Sequence, residues 1–453
     1  MSVAPTGHSL VSVPNSPSQL ARLAAIRRHG AVGLLRHVYT VVLDIEGPLD
    51  DGVLSAALAH LVVRHPVLRA AFHLDGHEHR IQSDAQLPLR RRVVAGNSME
   101  QRLARALDLA YEDQGRPFTP DTAPLARATV LGIDRERRLL VLSFDHLIMD
   151  AWSAGTVVDE LIMTADRLST GDTVPAEPSS AYLDARHTAE RWLRSPAGRA
   201  LCAERRRTLA GCAERLPFDG APDAAITDGF STANLALPAA VSIRLTDLQR
   251  RTRGGLLAIG LTALSILAAA DRGRQHPMVC SSFACRETVA EESAVGCLSN
   301  PVAVRLPEPT LTGLEAIRWS RQELIEVLSV QRMPSPAQAY RRGGDGLSAS
   351  VQYLPAALVS AEHRASRIGR ARVRLCPLST CPTGADVDLF MLERPAATYS
   401  AAHRGLVLTA MAEPVRVGSA RLDALLREWG AALNRLTLDA ELTQTLRVSA
   451  RRL

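Results

Sequence analysis

Segments with strand-like and helix-like patterns alternate along the whole chain, and this alternation constrains the fold more than any other feature. Residues 41–50 predict a strand that runs into a turn, and a helix follows with Asp50 or Asp51 as its N-cap and an end before Pro66. Residues 68–82 then predict two strands around an Asp-Gly hairpin turn. Both halves of the 453-residue chain mix strands and helices in this way. The sequence therefore predicts an α/β fold.

A polar segment at 169–180, rich in Ser, Thr, Pro and Gly, predicts a connection between two lobes of similar size. On this basis we expect a flexible N-terminal tail over 1–19, an N-terminal lobe over 20–175, linker helices over 176–229 and a C-terminal lobe over 230–453. The motif discussed below falls in the N-terminal lobe.

Composition excludes several classes of function. The longest apolar run, 256–270, is too short and too interrupted for a membrane span and predicts a buried core helix, and the N-terminus lacks a signal-peptide pattern, so we expect a cytoplasmic protein. Net charge is +6, but the basic runs at 87–92 and 204–207 are short, which argues against nucleic-acid binding. Without a nucleotide-binding glycine motif or a metal-ligand cluster, we expect no cofactor or metal of its own.

The candidate site is the stretch SFDHLIMDAWS, which contains His146 and Asp150 at the end of a predicted strand. Imidazole titrates near neutral pH, so His146 can accept a proton from a nucleophile. An aspartate paired with arginine is a poor base because the cation lowers its pKa, so we expect Asp150 to brace the loop. Asp145 directly precedes the histidine, and Ser153 lies where the next helix needs an N-cap.

Five segments of the chain follow one another in a fixed order: RHPVLRAAF (64–72), RPFTPDTAPLARATVL (116–131), FDHLIMDAWS (144–153), SSAYLDARHTAERWL (179–193) and CRETVAEESAVGCLSN (285–300). This order resembles that of the condensation domains of non-ribosomal peptide synthetases, whose signature is HHxxxDG. Arg286, Gly296 and Asn300 keep the spacing of a second motif of that family, GR…GFxxN.

The resemblance implies two chloramphenicol-acetyltransferase-like lobes in a V, with the active site in a tunnel at their interface. It implies that an acyl thioester on the phosphopantetheine arm of an acyl or peptidyl carrier protein meets an amine or hydroxyl acceptor at His146. Arg286 is expected to pair with Asp150, and Arg64 is the alternative. Because the chain ends shortly after the second lobe, we expect a stand-alone condensation enzyme that forms an amide or ester bond.

One departure from the signature leaves a second reaction open. Asp145 replaces the first motif histidine, and together with Asp150 and Ser153 it fits the DxxxxDxxS pattern of heterocyclisation domains. Thr380 and Asp386 also give a thin match to the TPxxxxD-like segment of those domains. The second motif histidine, however, is not expected of cyclisation domains, so amide-type condensation is the preferred interpretation.

The two departures together leave a third interpretation open. Asp145 and Ala151, the latter in place of the signature glycine, fit a non-catalytic relative that binds a carrier protein or recruits a partner. The presence of the other motif residues, namely His146, Asp150, Arg286 and Asn300, argues against the loss of catalytic function. Plant-type acyl-CoA acyltransferases share HxxxD, but no DFGWG motif is present, which disfavours a coenzyme A donor.

Overall fold

The chain divides into two compact units, each built from more than one segment. The computed structural model describes residues 11–35, 38–222, 230–269, 277–334, 347–355, 366–376, 385–394 and 405–450. The first unit comprises Met1–Trp192, Ala284–Ser299 and Ala361–Cys381. The second comprises Leu193–Phe283, Asn300–Ser360 and Pro382–Leu453. Each unit contains its own six-stranded sheet, so the α/β class predicted from sequence is confirmed.

Strands and helices alternate along the chain as the sequence pattern predicts. The N-terminal part forms β1 (Val11–Pro14), α1 (Pro17–Leu35), β2 (Val38–Glu46), α2 (Asp51–Arg64), β3 (Ala70–Phe72), β4 (Glu78–Ile81), β5 (Leu89–Val93), α3 (Met99–Gln114), β6 (Ala126–Gly132), β7 (Arg137–Asp145), α4 (Ala151–Ser169), α5 (Ala181–Arg194) and α6 (Pro196–Leu209). The remainder forms β8 (Ser231–Ala236), α7 (Ala239–Thr252), α8 (Leu256–Ala269), β9 (Met278–Phe283), α9 (Val289–Glu292), β10 (Asn300–Arg305), α10 (Gly313–Ser329), β11 (Ala349–Leu354), β12 (Ser366–Ile368), β13 (Ala371–Cys376), β14 (Val387–Arg394), β15 (Gly405–Ala412), α11 (Ser419–Leu436), α12 (Asp439–Leu442) and α13 (Leu446–Ala450).

The sheet of the first unit has the strand order β12-β13-β2-β7-β6-β5. β7 pairs antiparallel with both β2 and β6, and its residues from Leu139 to Asp145 are buried. A three-stranded sheet of order β1-β4-β3 completes the unit. The candidate motif therefore begins at the end of a central strand whose position is fixed by neighbours on both sides.

Helix α2 shows how local sequence sets the ends of an element. The Asp50 carboxylate accepts the Gly52 backbone N–H, which satisfies one of the free donors at the helix start. The helix ends at Arg64, shortly before Pro66, because proline disfavours helical backbone in the residue before it. The predicted start and end are confirmed. The buried stripe that faces the core follows helical spacing and consists of Leu54, Ala57, Leu58, Leu61 and Val62.

The second unit is organised around α8 and a sheet of order β10-β9-β11-β14-β15-β8. Twelve residues of α8 are buried, which confirms the core helix predicted at 256–270. Gly260 allows close packing, because a Cβ there would lie 2.4 Å from Met391 Sδ, and its carbonyl accepts the Trp429 indole N–H at 3.0 Å. Within the described ranges, no single helix is long and apolar enough to cross a membrane, and α7 with α8 passes that test only as a pair bent by 106°.

The predicted flexible tail over 1–19 is wrong for its last residues. β1 pairs antiparallel with β4, and α1 begins at Pro17. Val13 is 0% exposed and belongs to the core of the first unit, so this segment contributes to folding. Residues 1–10 lie outside the described part of the chain.

The predicted boundaries of the lobes also differ from the division in the structure. Residues 284–299 and 361–381, expected in the C-terminal lobe, belong to the first unit, and so do residues 176–192, expected in the linker. Residues 361–381 belong to the first unit because they contain β13, which extends the sheet of that unit by pairing with β2. Pairing between strands so distant in sequence leaves no trace in local periodicity.

Candidate active site

The candidate motif occupies the loop between β7 and α4, within the first unit. The Asp145 backbone N–H donates to the Leu125 carbonyl at 2.8 Å, and the Ile148 N–H donates to the Asp145 carbonyl at 3.0 Å. The apolar residues that follow His146 are 0% exposed, namely Leu147, Ile148 and Met149. The loop is thus anchored in the core, and His146 is held on a rigid support.

Asp150 is the main hydrogen-bond acceptor of the site. It is the N-cap of α4, and its Oδ1 accepts the Ser153 backbone N–H at 2.8 Å. Arg286 binds it with both terminal nitrogens, Nη1 to Oδ2 at 3.0 Å and Nη2 to Oδ1 at 3.2 Å. The backbone N–H groups of Leu298 and Ser299 donate to Oδ2, each at 3.0 Å. Asp150 therefore ties the motif loop to the 284–299 segment.

These partners determine the charge of Asp150. Burial opposes ionisation, but the Arg286 guanidinium and the N–H donors of Ser153 and Ser299 hold the pKa of Asp150 below its usual range. The carboxylate is therefore ionised at neutral pH and engaged by donors, which suits a brace and not a base. The alternative partner, Arg64, lies 3.3 Å from Glu160 and its side chain is 40% exposed.

Ser153 does not cap the helix, which corrects the prediction made from its position. The helix begins at Ala151 because Asp150 supplies the cap. The Ser153 hydroxyl instead donates to the Gly296 carbonyl at 2.8 Å and accepts the Gly296 N–H at 2.9 Å. It also accepts Arg286 Nη2 at 2.7 Å. Ser153 is a second connection between α4 and the 284–299 segment.

His146 is half-buried and neutral. Burial and the nearby Arg22 guanidinium lower the pKa of His146 below its usual 6.5, and the negative charge of Asp150 opposes this only in part. The edge of the ring approaches Tyr39, with ring centroids 6.4 Å apart. Cys297 Sγ lies 3.7 Å from Nδ1, within reach of a weak hydrogen bond.

A neutral imidazole can accept a hydrogen bond from a nucleophile that is losing a proton. Its low pKa makes it a weak base toward the free nucleophile, so its contribution grows as positive charge develops on the attacking atom. Its rigid loop adds a second contribution, because correct positioning alone lowers the barrier of a bimolecular step. The arrangement suits acyl transfer from an activated donor.

Asp145 lies at the end of β7 and is 0% exposed. Its Oδ1 accepts the Leu147 backbone N–H at 2.8 Å, whereas its Oδ2 is buried without a hydrogen-bond partner among the residues that the structure describes. Burial raises the pKa of Asp145 to about 7, although the Leu147 N–H and the charges of Arg22 and Arg127 favour ionisation. The carboxyl group that replaces the first motif histidine thus orders the loop backbone.

Asn300 belongs to the second unit, where it begins β10. Its Nδ2 donates to the carbonyls of Gln331 at 2.8 Å and Met333 at 2.7 Å. The side chain therefore holds the turn that follows α10. Its expected role as a supporting residue of the motif site stays a prediction.

The contacts of Asp386 do not support the partial match of Thr380 and Asp386 to the TPxxxxD-like segment of cyclisation domains. Asp386 accepts the backbone N–H and the hydroxyl of Ser348, at 3.0 and 2.9 Å, and forms an ion pair of 2.8 Å with Arg215. This carboxylate is engaged in structure. Thr380 lies outside the described residues.

Several residues near the motif were not selected from sequence. The ring of Tyr182 packs so closely on Gly296 that a Cβ at 296 would lie 2.3 Å from its Cδ2 atom. This contact gives a physical reason for the motif glycine. Arg22, Tyr39 and Cys297 come from α1, β2 and the 284–299 segment, so no single local sequence pattern includes all three. For Tyr182 the sequence signal is that it lies within 179–193, a segment that carries the resemblance.

The sequence is similar to known proteins over much of its length. The family model "Condensation domain" matches residues 36–337. The chain is 29% identical over 307 residues to phosphinothricin tripeptide synthetase PhsC of Streptomyces viridochromogenes, covering 66% of this chain and 28% of that protein. It is also 29% identical over 309 residues to phosphinothricin tripeptide synthetase PhsB of the same organism, covering 65% of this chain and 26% of that protein. The chain thus spans less than a third of either relative.

The fold matches solved condensation domains over nearly its whole length. The first condensation domain of the CDA synthetase superposes with a TM-score of 0.71 and 18% identity, covering 96% of this chain and 98% of that one. The shared two-sheet architecture confirms the predicted fold, while the V shape and the tunnel stay predictions. Since the family model covers well over half of the sequence, the protein belongs to the condensation-domain family of non-ribosomal peptide synthetases.

Proposed function

We propose that the protein is a condensation enzyme that transfers an acyl group from a carrier-protein thioester to an amine, with a hydroxyl as the alternative nucleophile. The observation that carries the proposal is the neutral His146 imidazole, held on a buried loop next to a carboxylate that is engaged by Arg286. Because Asp150 is engaged by Arg286 and acts as the brace, the imidazole is the group of the motif that we assign to the nucleophile.

The reaction proceeds without an external energy source. The amine nitrogen attacks the thioester carbonyl carbon, the C–N bond forms, and the C–S bond breaks. His146 accepts a hydrogen bond and then the proton of the nucleophile, and the departing phosphopantetheine thiolate takes up that proton. The thioester supplies the driving force, so the partner required is a carrier protein with a loaded phosphopantetheine arm.

Heterocyclisation is the weaker alternative. Of the residues that match DxxxxDxxS, Asp150 is bound by Arg286, and the Ser153 hydroxyl is bound to Gly296 and Arg286. Within the described part of the chain, only Asp145 of these three keeps an oxygen without a partner. A single oxygen without a partner does not favour ring formation, because it is equally expected if Asp145 only replaces the motif histidine as a structural group.

The test uses a panel of acyl- and aminoacyl-loaded carrier proteins with amine acceptors, and mass spectrometry of the products. We expect coupling by the wild type, and we expect His146→Ala to lower the rate by about 10²-fold or more while the fold persists. The matched control is His187→Ala, since His187 is exposed on α5, and it should couple at the wild-type rate.

Three results would contradict the proposal. Full coupling by His146→Ala would remove the role of the imidazole. A product lighter by one further water, whose formation is lost in Asp145→Asn, would show cyclisation. Binding of loaded carrier protein without any product from the wild type would show a non-catalytic binding module.

A further inference from the structure

A buried chain of hydrogen bonds runs from the β3–β4 hairpin to the loop that carries His146. His79 Nδ1 lies 2.9 Å from Asn15 Oδ1, and His79 Nε2 lies 3.1 Å from the Tyr182 hydroxyl. Gln19 Nε2 lies 3.3 Å from the same hydroxyl and donates to the Leu147 carbonyl at 2.7 Å. Leu147 directly follows His146, so the chain ends one residue from the candidate catalytic group.

The donors and acceptors of this chain are determined along its length. Asn15 Nδ2 donates to the Gly76 carbonyl at 3.0 Å, so its Oδ1 faces His79 and accepts from Nδ1. His79 Nε2 is then an acceptor for the Tyr182 O–H. Gln19 Nε2 has two hydrogens, one for the Tyr182 oxygen and one for the Leu147 carbonyl. The direction of each of these hydrogen bonds is therefore fixed, and together they require a neutral His79.

The surroundings enforce that state. His79 and Gln19 are 0% exposed and Tyr182 is 2% exposed. Burial, with the charge of Arg186 nearby, lowers the pKa of His79 to about 3, and burial raises the pKa of Tyr182 to about 12. The polar groups of the chain therefore remain neutral throughout the physiological range and keep one pattern of hydrogen bonds.

Tyr182 also touches the opposite side of the site. Its ring packs on Gly296, whose backbone binds the Ser153 hydroxyl, and the next residue, Cys297, lies beside the His146 imidazole. One side chain thus contacts both the support of the His146 loop, through Gln19, and the segment that binds Asp150. A displacement of Tyr182 would be transmitted to both.

We propose that Tyr182 and Gln19 are positioning residues that set the orientation of His146 through the Leu147 carbonyl. They do not contact the reacting atoms, and their effect is on the placement of the imidazole. The proposal rests on the proposed function for its effect on turnover, whereas its effect on the imidazole can be measured without substrate.

The experiment compares Tyr182→Phe, which keeps the ring on Gly296 and removes only the hydroxyl, with Gln19→Met. The methionine keeps the side-chain length and removes the amide, that is, the Nε2 donor and the Oε1 atom that accepts the Ser16 backbone N–H at 2.7 Å. The exposed Tyr111 on α3 supplies the control, Tyr111→Phe. In substrate-free protein with isotopically labelled histidine, the His146 ring signals are assigned by their loss in His146→Gln. We expect Tyr182→Phe and Gln19→Met each to shift the His146 ring signals, and Tyr111→Phe to leave them unchanged.

Turnover gives a second readout. We expect kcat to fall about tenfold in either variant with KM nearly unchanged, because a small misplacement of a catalytic group affects the chemical step most. The double variant should lose no more kcat than Gln19→Met alone, since the two groups act in series.

Unchanged His146 signals together with a lowered Tm in Tyr182→Phe would overturn the proposal, as would additive losses of kcat in the double variant. Shifted signals in a protein that couples no substrate would uphold the positioning role and reject the proposed function alone.

Discussion

Arg286 and Asp150 form a bidentate ion pair in which the two side chains are 1% and 2% exposed. The partners lie 136 residues apart, one in the 284–299 segment and one at the start of α4. Two charges removed from water are tolerated only when each is matched by the other and by further hydrogen bonds, as they are here. The pair therefore connects the HxxxD motif at 146–150 to the second motif at 285–300, alongside the hydrogen bonds of Ser153.

Asp150→Ala should be strongly destabilising. The substitution leaves the Arg286 guanidinium buried without its carboxylate and removes the N-cap of α4. We expect the free energy of unfolding to fall by about 3–5 kcal/mol, measured by urea denaturation. The control is Asp75→Ala, which breaks the ion pair between Arg27 and Asp75, whose side chains are 47% and 76% exposed. Loss of this exposed pair should lower the free energy of unfolding by less than about 1 kcal/mol. Equal losses in the two variants would contradict the brace.

Asp145 should make stability depend on pH in a direction that is unusual for an aspartate. Its pKa rises from 3.8 to about 7 because the carboxyl is buried. Between these two pH values the folded chain binds more protons than the unfolded chain, so the free energy of unfolding decreases as pH rises. The stabilisation is fully present below about pH 4, is lost as pH passes 7, and is on the order of 4 kcal/mol.

Asp145→Asn removes this titration and should flatten the decrease when unfolding is measured from pH 4 to pH 8. Asp108→Asn, on the exposed face of α3, is the matched control and should keep the wild-type slope. A wild-type slope in Asp145→Asn would mean that other groups cause the dependence. The same variant should retain coupling activity, because the proposed chemistry uses His146 and not the Asp145 carboxylate.

Local sequence predicts the elements well but not their assignment to units. The Asp50 cap, the end of α2 before Pro66 and the hairpin around 75–76 each depend on a few neighbouring residues, and the structure has all of them. The pairing of β13 with β2 depends on hydrogen bonds between distant backbones and could not be predicted in this way.

The candidate site divides along the same line. His146, Asp150 and Arg286 were found because motif spacing preserves them, and the structure makes the ion pair. The hydroxyl of Ser153 was assigned to the helix end by proximity in sequence, but its partners Gly296 and Arg286 are brought near only by tertiary folding. Gln19 and Tyr182 were missed for the same reason.

Gly296→Ala tests the close contact with Tyr182. A Cβ at 296 would lie 2.3 Å from the ring, so one of the two segments must move. We expect a loss of about 1–3 kcal/mol in the free energy of unfolding, typical of overpacking in a core. The control is Gly155→Ala in α4, where a Cβ meets no atom within 4 Å and helix propensity predicts a small gain.

A double-mutant cycle assigns the effect of Gly296→Ala to its cause. In a Tyr182→Ala background the clash with the ring is absent, so Gly296→Ala should cost less than in the wild type, and the cost that remains reports the backbone conformation at a φ of +159°. The same cost in both backgrounds would show that backbone conformation, and not the tyrosine ring, requires glycine. Thermal or urea unfolding of the four proteins provides the measurement.

The acid limb of the activity profile should depend on Arg22. Coupling requires neutral His146, whose pKa is lowered below 6.5 by burial and by the Arg22 guanidinium. The logarithm of kcat/KM should therefore begin to fall only at a pH below 6.5 as the solution is acidified. Arg22→Met removes the cation, so the pKa of His146 should rise and the acid limb should move to higher pH.

Arg27→Met separates this effect from a general change in charge. Arg27 lies on the same helix, α1, but pairs with Asp75 at an exposed position, so its removal should leave the acid limb in place. NMR titration of the His146 ring in substrate-free protein should show the same order, with the pKa higher in Arg22→Met than in Arg27→Met or the wild type. If the two variants shift the limb equally, overall charge is the cause. If neither variant moves the His146 titration, burial alone sets the pKa and Arg22 has no specific role.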